Sequence, residues 1–453
     1  MKVLGKVLLW LLALAILGVL CWGLALYLEW PLWFAVALFA GCIGLYLLIK
    51  FLRRLYIVWR SRSKLARLGA PLETAAQITP ASTLARKWKA AVATLRKSSL
   101  KRLGDPLYVL PWYIVIGRSG TGKTTALTRA RLTSPIQKVD QSAAIEQTAN
   151  VDWWYFDQAV VIDSAGRYVD AQDLEQDRRE WELSLDLLAR YRPREGVDGL
   201  VLAIAADRLI AADTDALIEE GRVIRTRIEQ LIQMFGKRFP IYVLVTKCDQ
   251  IYGLEAWARE LPGNALEQAM GFLSDEISAD AASGKGGEIA FLDRAFASID
   301  ARLQKLRIAM IARSAAVAPE LLLFPNELER LRPRLEVFVH ACLADNPYLE
   351  RPFLRGLFLS SGQQEGGAIS TVLDSALPPV PPHPSARAGL FLHDFFGRVL
   401  PQDRHSSRPA ELVNHWRRVT QYFGVTAWWL ITAALGILLT LAFIDNIDTL
   451  KLL

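Results

Sequence analysis

The chain has 453 residues, a hydrophobic fraction of 52% and a formal net charge of +7. This length allows two or three domains, and the hydrophobic fraction exceeds the usual share of globular proteins. The four cysteines have no spacing typical of a metal or disulfide scaffold. The positive residues cluster beside apolar runs, where anionic headgroups account for them, so nucleic acid is not an expected partner.

Residues 1–52 predict a transmembrane hairpin. Residues 7–28 and 32–49 are uncharged runs, the first long enough to cross a hydrocarbon core as a helix and the second slightly shorter. Pro31 breaks the helix between them. A cleaved signal peptide is the alternative, because two lysines precede the first apolar run. That run is too long for a signal peptide, however, and a second run follows at once.

A third uncharged run, residues 424–444, predicts one more transmembrane helix. Arginines precede this run and aspartates follow it, while basic residues lie before and after the hairpin. By the positive-inside rule, both ends of the hairpin face the cytoplasm, and residues 445–453 form a short periplasmic tail. The sequence therefore predicts a multi-pass membrane protein whose main body is cytoplasmic.

Residues 53–106 predict a basic, helical juxtamembrane linker, and residues 107–252 predict a P-loop NTPase-like domain. The short, unbroken apolar runs of this domain indicate buried strands of a parallel sheet, whose two faces helices must cover. Two long amphipathic segments between the runs indicate crossover helices. The expected strands are 109–116, 159–162, 200–204 and 241–245, and the expected helices are 175–191 and 214–235.

The rest of the body predicts three further segments. Residues 253–350 have helical periodicity and predict a helical insertion, after which residues 351–376 return to the sheet. Residues 377–423 predict a proline-rich linker followed by an amphipathic juxtamembrane segment. The expected fold class is therefore α/β, with a P-loop GTPase-like parallel sheet, a helical insertion and three transmembrane helices.

A complete phosphate-binding loop follows the apolar run 112–116. Its glycines let successive backbone N–H groups converge on phosphate oxygens, Lys123 reaches the terminal phosphates, and the Thr124 hydroxyl can ligate Mg²⁺. A helix that begins here directs its positive dipole end toward the anion. The nucleotide-binding residues expected in this segment are Gly117, Arg118, Ser119, Gly120, Thr121, Gly122, Lys123, Thr124 and Thr125.

Two further motifs at strand ends favour a guanine nucleotide. A DxxG motif begins at Asp163, whose carboxylate would hold Mg²⁺ through water, while the N–H of Gly166 would bond the γ-phosphate. A TKCD sequence begins at Thr246 and is close to the NKxD base-reading motif. In it, Asp249 would accept two hydrogen bonds from guanine, and the stem of Lys247 would cover the base. The expected cofactor is Mg²⁺ with GTP or ATP, GTP being favoured.

Three departures from the GTPase pattern bear on catalysis. Thr246 replaces the usual Asn and loses an amide that braces the phosphate loop, which weakens base discrimination. Arg167 replaces the glutamine that positions water, and it could instead stabilise transition-state charge or bind phosphate. Thr148 is the candidate switch threonine. Slow hydrolysis or binding without turnover is the resulting hypothesis, with Thr148 and Arg167 as the catalytic candidates.

Several motifs occur together in one order along the chain. They are LPWY at 110–113, DWW at 152–154, DSAGRY at 163–168, YRPR at 191–194, RGLFLSSGQQEG at 355–366 and LFLHDFF at 390–396. With these motifs and the three apolar spans, nearly the whole chain resembles the IcmF/TssM family, the inner-membrane scaffold of type VI secretion systems.

The resemblance implies a bacterial inner-membrane anchor that self-associates, joins a small membrane partner of the DotU/TssL kind and recruits cytoplasmic baseplate components. In the GTPase pattern, residues 360–362 fall where a final base-contacting loop would lie, so Ser361 is a candidate site residue. Family members continue after the third span into a long periplasmic region that reaches an outer-membrane lipoprotein. This chain stops at Leu453, so contact with that lipoprotein is in doubt, and a truncated product or a short paralogue is expected.

Two functions of different classes follow. In the first, the protein is a membrane scaffold whose P-loop domain acts as a nucleotide-dependent conformational element in membrane-complex and baseplate assembly. In the second, it is an active membrane-anchored NTPase that energises assembly or transport. A catalytic glutamate after the DxxG aspartate would support the second function, but Ser164 occupies that position.

Overall fold

The computed structural model describes residues 80–134, 148–170, 175–193, 195–274, 287–313, 318–343, 353–363, 368, 370–372, 389–404 and 408–409, with six isolated residues nearer the two ends. The chain divides into two compact units, one of residues 78–414 and one of residues 1–77 with 415–453. The strands and helices named here all belong to the first unit.

The strands of the described residues are β1 (Trp112–Ile116), β2 (Val151–Tyr155), β3 (Val160–Ser164), β4 (Gly199–Ala205), β5 (Lys237–Arg238), β6 (Pro240–Thr246), β7 (Met270–Leu273), β8 (Phe353–Leu359) and β9 (Arg408–Pro409). Seven of them form one sheet in the order β2-β3-β1-β4-β6-β8-β7. Strands β3, β1, β4, β6 and β8 run parallel, while β2 and β7 pair antiparallel at the two edges. The short strands β5 and β9 pair separately.

The sheet is mixed, so the prediction of a parallel sheet holds for its five central strands alone. Every residue of β1, β3, β4 and β6 is buried, as expected for unbroken apolar runs covered on both faces. Strand β2 was not predicted, although its burial alternates with the period of two typical of a half-covered edge strand. Strand β7 lies inside residues 253–350, so that region is not wholly helical.

Helices of the described part cover both faces of the sheet. They are α1 (Pro80–Lys97), α2 (Pro106–Val109), α3 (Lys123–Arg129), α4 (Glu175–Tyr191), α5 (Ala206–Ala211), α6 (Thr214–Phe235), α7 (Leu254–Glu260), α8 (Gly263–Glu267), α9 (Gly287–Arg313), α10 (Pro319–Glu329), α11 (Arg332–Leu343) and α12 (Leu400–Gln402). Short 3₁₀ helices lie at Ser99–Arg102, Gly166–Val169 and Cys248–Gln250, and a π-helical turn lies at Phe395–Val399.

Helices α4 and α6 have the bounds expected from the sequence. The side chain of Asp213 accepts a hydrogen bond from Thr214 N at the start of α6, and Gly236 ends this helix in the left-handed region with φ 60°. The first strand, in contrast, begins at Trp112 and not at residue 109. Residues Pro106–Val109 instead form a helical turn, which the side chain of Asp105 caps.

Helix α1 packs on edge strand β2. Its buried side chains recur with helical spacing, at Leu84, Trp88, Val92 and Leu95. Trp88 meets Trp153 of β2 edge to face, with ring centroids 4.7 Å apart. The second half of the predicted juxtamembrane linker therefore contributes a helix to the hydrophobic core.

Residues 389–404, which we name the C-terminal clasp, lie in the stretch predicted to be linker and juxtamembrane segment. Arg355 of β8 and Asp403 of the clasp form a buried ion pair with two hydrogen bonds, of 2.6 and 2.9 Å. Four apolar side chains of the clasp are fully buried, namely Leu392, Phe395, Phe396 and Leu400. The clasp is therefore part of the core, because these side chains cover one face of the sheet.

The three predicted transmembrane segments, residues 7–28, 32–49 and 424–444, lie outside the described residues apart from the six isolated positions. Within the described part of the chain, no helix is both long enough and apolar enough to cross a membrane.

Candidate functional site

The phosphate-binding loop joins β1 to α3. Gly120 and Gly122 have φ angles of 80° and 76°, and Gly122 is the residue before the first turn of α3. The Nζ atom of Lys123 donates to the carbonyl oxygens of Gly117 at 2.6 Å and Arg118 at 3.0 Å. Burial lowers the pKa of Lys123 and the negative charge of Asp163 opposes this shift. The loop thus curls around a buried amine at the start of a helix.

Gly166 of the DxxG motif lies directly on the phosphate loop. A Cβ atom at this position would lie 2.2 Å from Ser119 N, so a larger residue would force the two backbones apart. Asp170, four residues later, accepts hydrogen bonds from Arg118 Nε at 3.1 Å and from Ser119 Oγ at 3.3 Å. The loop that follows β3 is therefore held against the loop that follows β1.

Two hydroxyl groups and one carboxylate meet beside the phosphate loop. Thr124 Oγ1 and Thr148 Oγ1 donate to Asp163 Oδ2 at 2.6 and 2.9 Å, and the two hydroxyl oxygens are 3.0 Å apart. Asp163 is fully buried, and its other oxygen, Oδ1, has no hydrogen-bond partner among the residues that the structure describes. Burial raises the pKa of Asp163, although nearby Lys123 and the two hydroxyl groups oppose this effect.

These three side chains fit a magnesium ion. Mg²⁺ binds hard oxygen ligands and usually keeps several waters beside one or two carboxylates and phosphates. Thr124, Thr148 and Asp163 offer such oxygens, and the carboxylate oxygen Oδ1 of Asp163 is buried without a hydrogen-bond partner in the described part. An unpaired buried carboxylate oxygen is costly, and a cation would offset that cost.

The predicted base-reading residues come together at the other end of the candidate site. Asp249 is 2% exposed. Its Oδ1 accepts from Ser361 Oγ at 2.6 Å, and its Oδ2 accepts from Gln250 Nε2 at 3.1 Å. Lys247 has a φ of 52°, and its Nζ donates to Asp207 Oδ2 at 2.9 Å. Asp207 was not among the predicted residues.

Thr246 supplies the brace that its replacement of Asn was expected to remove. Its hydroxyl donates to the carbonyl oxygen of Thr121 in the phosphate loop and lies 3.3 Å from Ile204 O. The expectation that the brace is lost is therefore wrong, because a threonine hydroxyl can reach the same loop.

A cleft of about 190 Å³ connects the start of α3 with these base-reading residues. Its lining residues are Gly122, Thr125, Asp207, Thr246, Lys247, Asp249, Gln250, Gly362 and Gln363. Asp207, Gln250 and Gln363 were missed from the sequence, and Gly362 was expected in the base-contacting loop but not named as a site residue. Their position in the sequence could have indicated them, because each follows the carboxyl end of a parallel strand, where α/β sheets bind ligands.

The structure does not bring Arg167 to the phosphate loop. Its guanidinium group forms ion pairs with Asp177 and Glu180 of α4, and its Nε donates to Ala149 O at 3.0 Å. Ser164, at the position of a catalytic glutamate, donates to Val115 O at 2.7 Å. Both side chains thus have structural partners, which does not support a catalytic role for Arg167.

Two comparisons concern the sequence. The model of the IcmF-related N-terminal domain matches residues 174–428, more than half of the chain. The type VI secretion system component TssM1 of Pseudomonas aeruginosa is 36% identical over 327 residues. That alignment covers 69% of this chain and 29% of the relative, so the chain spans under a third of the length of that protein.

Two solved structures are similar over parts of the chain. The signal recognition particle receptor SRb-GTP/SRX complex from Chaetomium thermophilum has 18% identity, covers 31% of this chain and 70% of that chain, and has a TM-score of 0.23. The septin GTPase domain from Chlamydomonas reinhardtii has 16% identity, covers 65% and 89%, and also has a TM-score of 0.23. With TM-scores this low, neither similarity supports a conclusion about function. The match over residues 174–428 does establish the family, and the chain belongs to the IcmF/TssM family.

Proposed function

We propose that residues 107–363 bind a guanine nucleotide with Mg²⁺ and that this domain is a conformational element of a membrane-anchored secretion scaffold. The observation that carries the proposal is the meeting of Thr124, Thr148 and Asp163 beside the phosphate loop. These residues come from three separate segments, and their oxygens suit the same hard cation. Mg²⁺ would neutralise charge on the phosphates that the loop and Lys123 bind.

Guanine is the favoured base because of the environment of Asp249. A buried carboxylate fixed by Ser361 is a strong acceptor for the N–H groups of guanine, whereas adenine offers no such pair of donors to it. Lys247, paired with Asp207, lies at the wall of the same cleft and would cover the base with its stem. The proposed nucleotide residues are those predicted from the sequence, with Asp207, Gln250, Gly362 and Gln363 added.

The domain is proposed to bind nucleotide as a switch and not as a fast hydrolase. Arg167 is engaged by Asp177 and Glu180, and Ser164 is engaged by a strand carbonyl. Neither residue is available to orient a water molecule or to stabilise transition-state charge in this arrangement. Nucleotide would instead order the loops that carry Thr148 and Gly166, which already contact the phosphate loop.

In the cell, we place this domain on the cytoplasmic side of the bacterial inner membrane, with residues 7–28, 32–49 and 424–444 as its anchor, because the sequence predicts that these runs span a membrane. The support is membership in the IcmF/TssM family and the likeness to a protein named as a type VI secretion component. The proposed partners are a DotU/TssL-type membrane protein, cytoplasmic baseplate components and further copies of this chain.

The nucleotide proposal can be tested by titrating the full chain in detergent with fluorescent GDP, GTP and ATP, with and without Mg²⁺. The decisive variant is Asp249→Asn, and the exposed Asp215→Asn on α6 is the matched control. We expect Asp249→Asn to lose guanine binding by at least about tenfold while ATP binding is unchanged, because one charged hydrogen-bond acceptor is lost. Equal binding of all three nucleotides by the unmodified chain would contradict the guanine assignment.

The scaffold proposal has a separate test. Lys123→Ala in the full chain should lose nucleotide binding and should weaken co-purification of a DotU/TssL-type partner or of baseplate components. If Lys123→Ala removed nucleotide binding and left assembly intact, the domain would not be the conformational element proposed. Measured turnover that Lys123→Ala abolishes would favour an active NTPase instead.

A further inference from the structure

The base-reading end of the cleft is tied to the C-terminal clasp by the backbone of Ser361. Leu390 N donates to Ser361 O at 2.7 Å, and Ser361 N donates to Leu390 O at 3.3 Å. This two-bond bridge is antiparallel and stands outside the named strands. Ser361 is fully buried, so its backbone orientation is set by this bridge and by the end of β8.

The same residue carries the hydroxyl that holds Asp249. Ser361 Oγ donates to Asp249 Oδ1 at 2.6 Å. On the other side, Ser360 N donates to Val245 O at 2.8 Å and Cys248 N donates to Ser360 O at 3.0 Å. A chain of direct hydrogen bonds therefore runs from Leu390 through Ser361 to the carboxylate that faces the cleft.

The clasp is itself firmly held. The buried pair of Arg355 and Asp403 is joined by Tyr242, whose hydroxyl donates to Asp403 Oδ2 at 2.6 Å. Tyr113 of β1 donates to the carbonyl oxygen of Leu400, and Phe391 N donates to Leu266 O at 2.7 Å. The clasp is thus anchored to three strands and one helix of the domain, and it can fix the position of the residues that it bonds.

We propose that the clasp sets base selectivity, with Leu390 as a positioning residue that holds Ser361 in place so that Asp249 is aimed at the base. This inference rests on the proposed nucleotide function, and it assigns a role to a segment that contributes none of the described residues lining the cleft. Loosening the clasp should reduce the preference for guanine over adenine and should leave the phosphate contacts of both nucleotides unchanged.

The test compares Leu390→Pro with Leu390→Ala in the full chain with Mg²⁺. Both substitutions remove the same buried side chain, but proline also removes the N–H that donates to Ser361 O. Affinities for fluorescent GDP and ADP are measured, and the thermal midpoint without nucleotide is recorded for each variant. We expect Leu390→Pro to lower the GDP-to-ADP affinity ratio at least about fivefold and Leu390→Ala to change it less than about twofold.

A second pair of variants displaces the clasp without a proline. A Cβ atom at Gly389 would lie 2.5 Å from the carbonyl oxygen of Arg129, which is backbone and cannot move cheaply. A Cβ atom at Gly397 would meet only the end of the flexible Leu132 side chain, at 2.7 Å. Gly389→Ala should therefore shift Leu390 and lower the GDP-to-ADP ratio, whereas Gly397→Ala should leave the ratio unchanged.

The outcomes are separable. A lowered ratio in Leu390→Pro and Gly389→Ala, with both controls unchanged, supports the inference. An unchanged ratio in Gly389→Ala and in folded Leu390→Pro overturns it, and so does an equal drop in Leu390→Ala, because packing alone would then explain the effect. If the unmodified chain shows no preference for GDP over ADP, the guanine assignment itself fails, and the positioning role fails with it.

Discussion

The two ends of the proposed nucleotide site are built differently. The phosphate end consists of one continuous loop, residues 117–124, with Thr148 and Asp163 added beside it. The base end brings together Asp249 and Ser361, which follow two different strands. The phosphate-binding geometry of a continuous loop depends mainly on its own glycines and on the helix that follows it.

The base end depends on strand register and on distant segments, because Ser361 lies 112 positions along the chain from the Asp249 that it holds. This contrast teaches that phosphate affinity and base selectivity should respond to different substitutions. Variants of the phosphate loop should weaken GDP and ADP alike. Variants of the base end should change the ratio between the two nucleotides.

The largest effect is expected for Lys123→Ala. The lysine amine lies within the loop beside Gly117 O and Arg118 O and would reach the terminal phosphates. Removing it should weaken GDP and ADP binding together by about a hundredfold, as for a lost charge-assisted contact. Fluorescence titration measures both affinities, and the exposed Lys97→Ala of α1 is the control. Weaker binding of only one of the two nucleotides would contradict the view that the phosphate loop serves both alike.

Asp163→Asn should have the next largest effect on nucleotide affinity. It should reduce only the part of the affinity that Mg²⁺ contributes. Without its carboxylate, the affinity gained on adding Mg²⁺ should fall by about tenfold for GDP and ADP alike. Titration with and without Mg²⁺ checks this result. An undiminished gain on adding Mg²⁺ would show that Asp163 does not serve the ion.

The same variant has an expected pH signature in the empty protein. Burial raises the pKa of Asp163 above its usual 3.8, so between the two values the folded chain binds more protons than the unfolded chain. This group's contribution to stability therefore falls as pH rises through that range. In EDTA, Asp163→Asn should melt at a higher temperature than the unmodified chain at neutral pH. This advantage should disappear below pH of about 4, and a lower melting temperature at neutral pH would be contrary to the expectation.

Thr246→Ala should have a smaller effect that reaches both ends. The hydroxyl joins the base-reading motif to Thr121 O, so its loss should weaken GDP and ADP by about two- to tenfold. Thr246→Ser keeps the hydroxyl and is the matched control. Full affinity in Thr246→Ala would mean that the two ends behave independently.

The smallest change in nucleotide affinity is expected for Arg167→Met. The guanidinium group pairs with Asp177 and with buried Glu180, so its loss should lower the free energy of unfolding by about 1–3 kcal/mol. Urea unfolding measures this effect, and nucleotide titration should show affinities within about twofold of the unmodified chain. A clear loss of GTP binding would contradict this expectation and would indicate that Arg167 contacts the phosphates.

Much of the fold could be predicted because its signals are local. The unbroken apolar runs of β1, β3, β4 and β6 indicate buried strands, and the amphipathic segments of α4 and α6 indicate the helices between them. Strand β2 was missed because an edge strand with two tryptophans gives a weaker pattern. The clasp was missed because proline-rich neighbours suggested a linker, while the partners of its aromatic side chains are distant in sequence.

The candidate site divides in the same way. The glycines and Lys123 of the phosphate loop, the DxxG aspartate and the Asp249 of the TKCD motif were all visible as motifs. Asp207 and Gln363 were not, because a single polar residue after a strand has no signature until neighbouring strand ends are known. Arg167 was visible as a candidate, but its ion-pair partners on α4 were not, because they lie ten and thirteen residues further along the chain.

By itself, the sequence determined the phosphate loop, the order of its companion motifs and the family resemblance, because these depend on residues close together in the chain. The tertiary structure alone decided that Thr246 braces the loop, that Arg167 turns to α4 and that the clasp holds Ser361. Each of these outcomes is a contact between residues far apart in sequence. Such contacts form when the sheet brings strand ends to one edge, and no local pattern encodes which distant partner will be there.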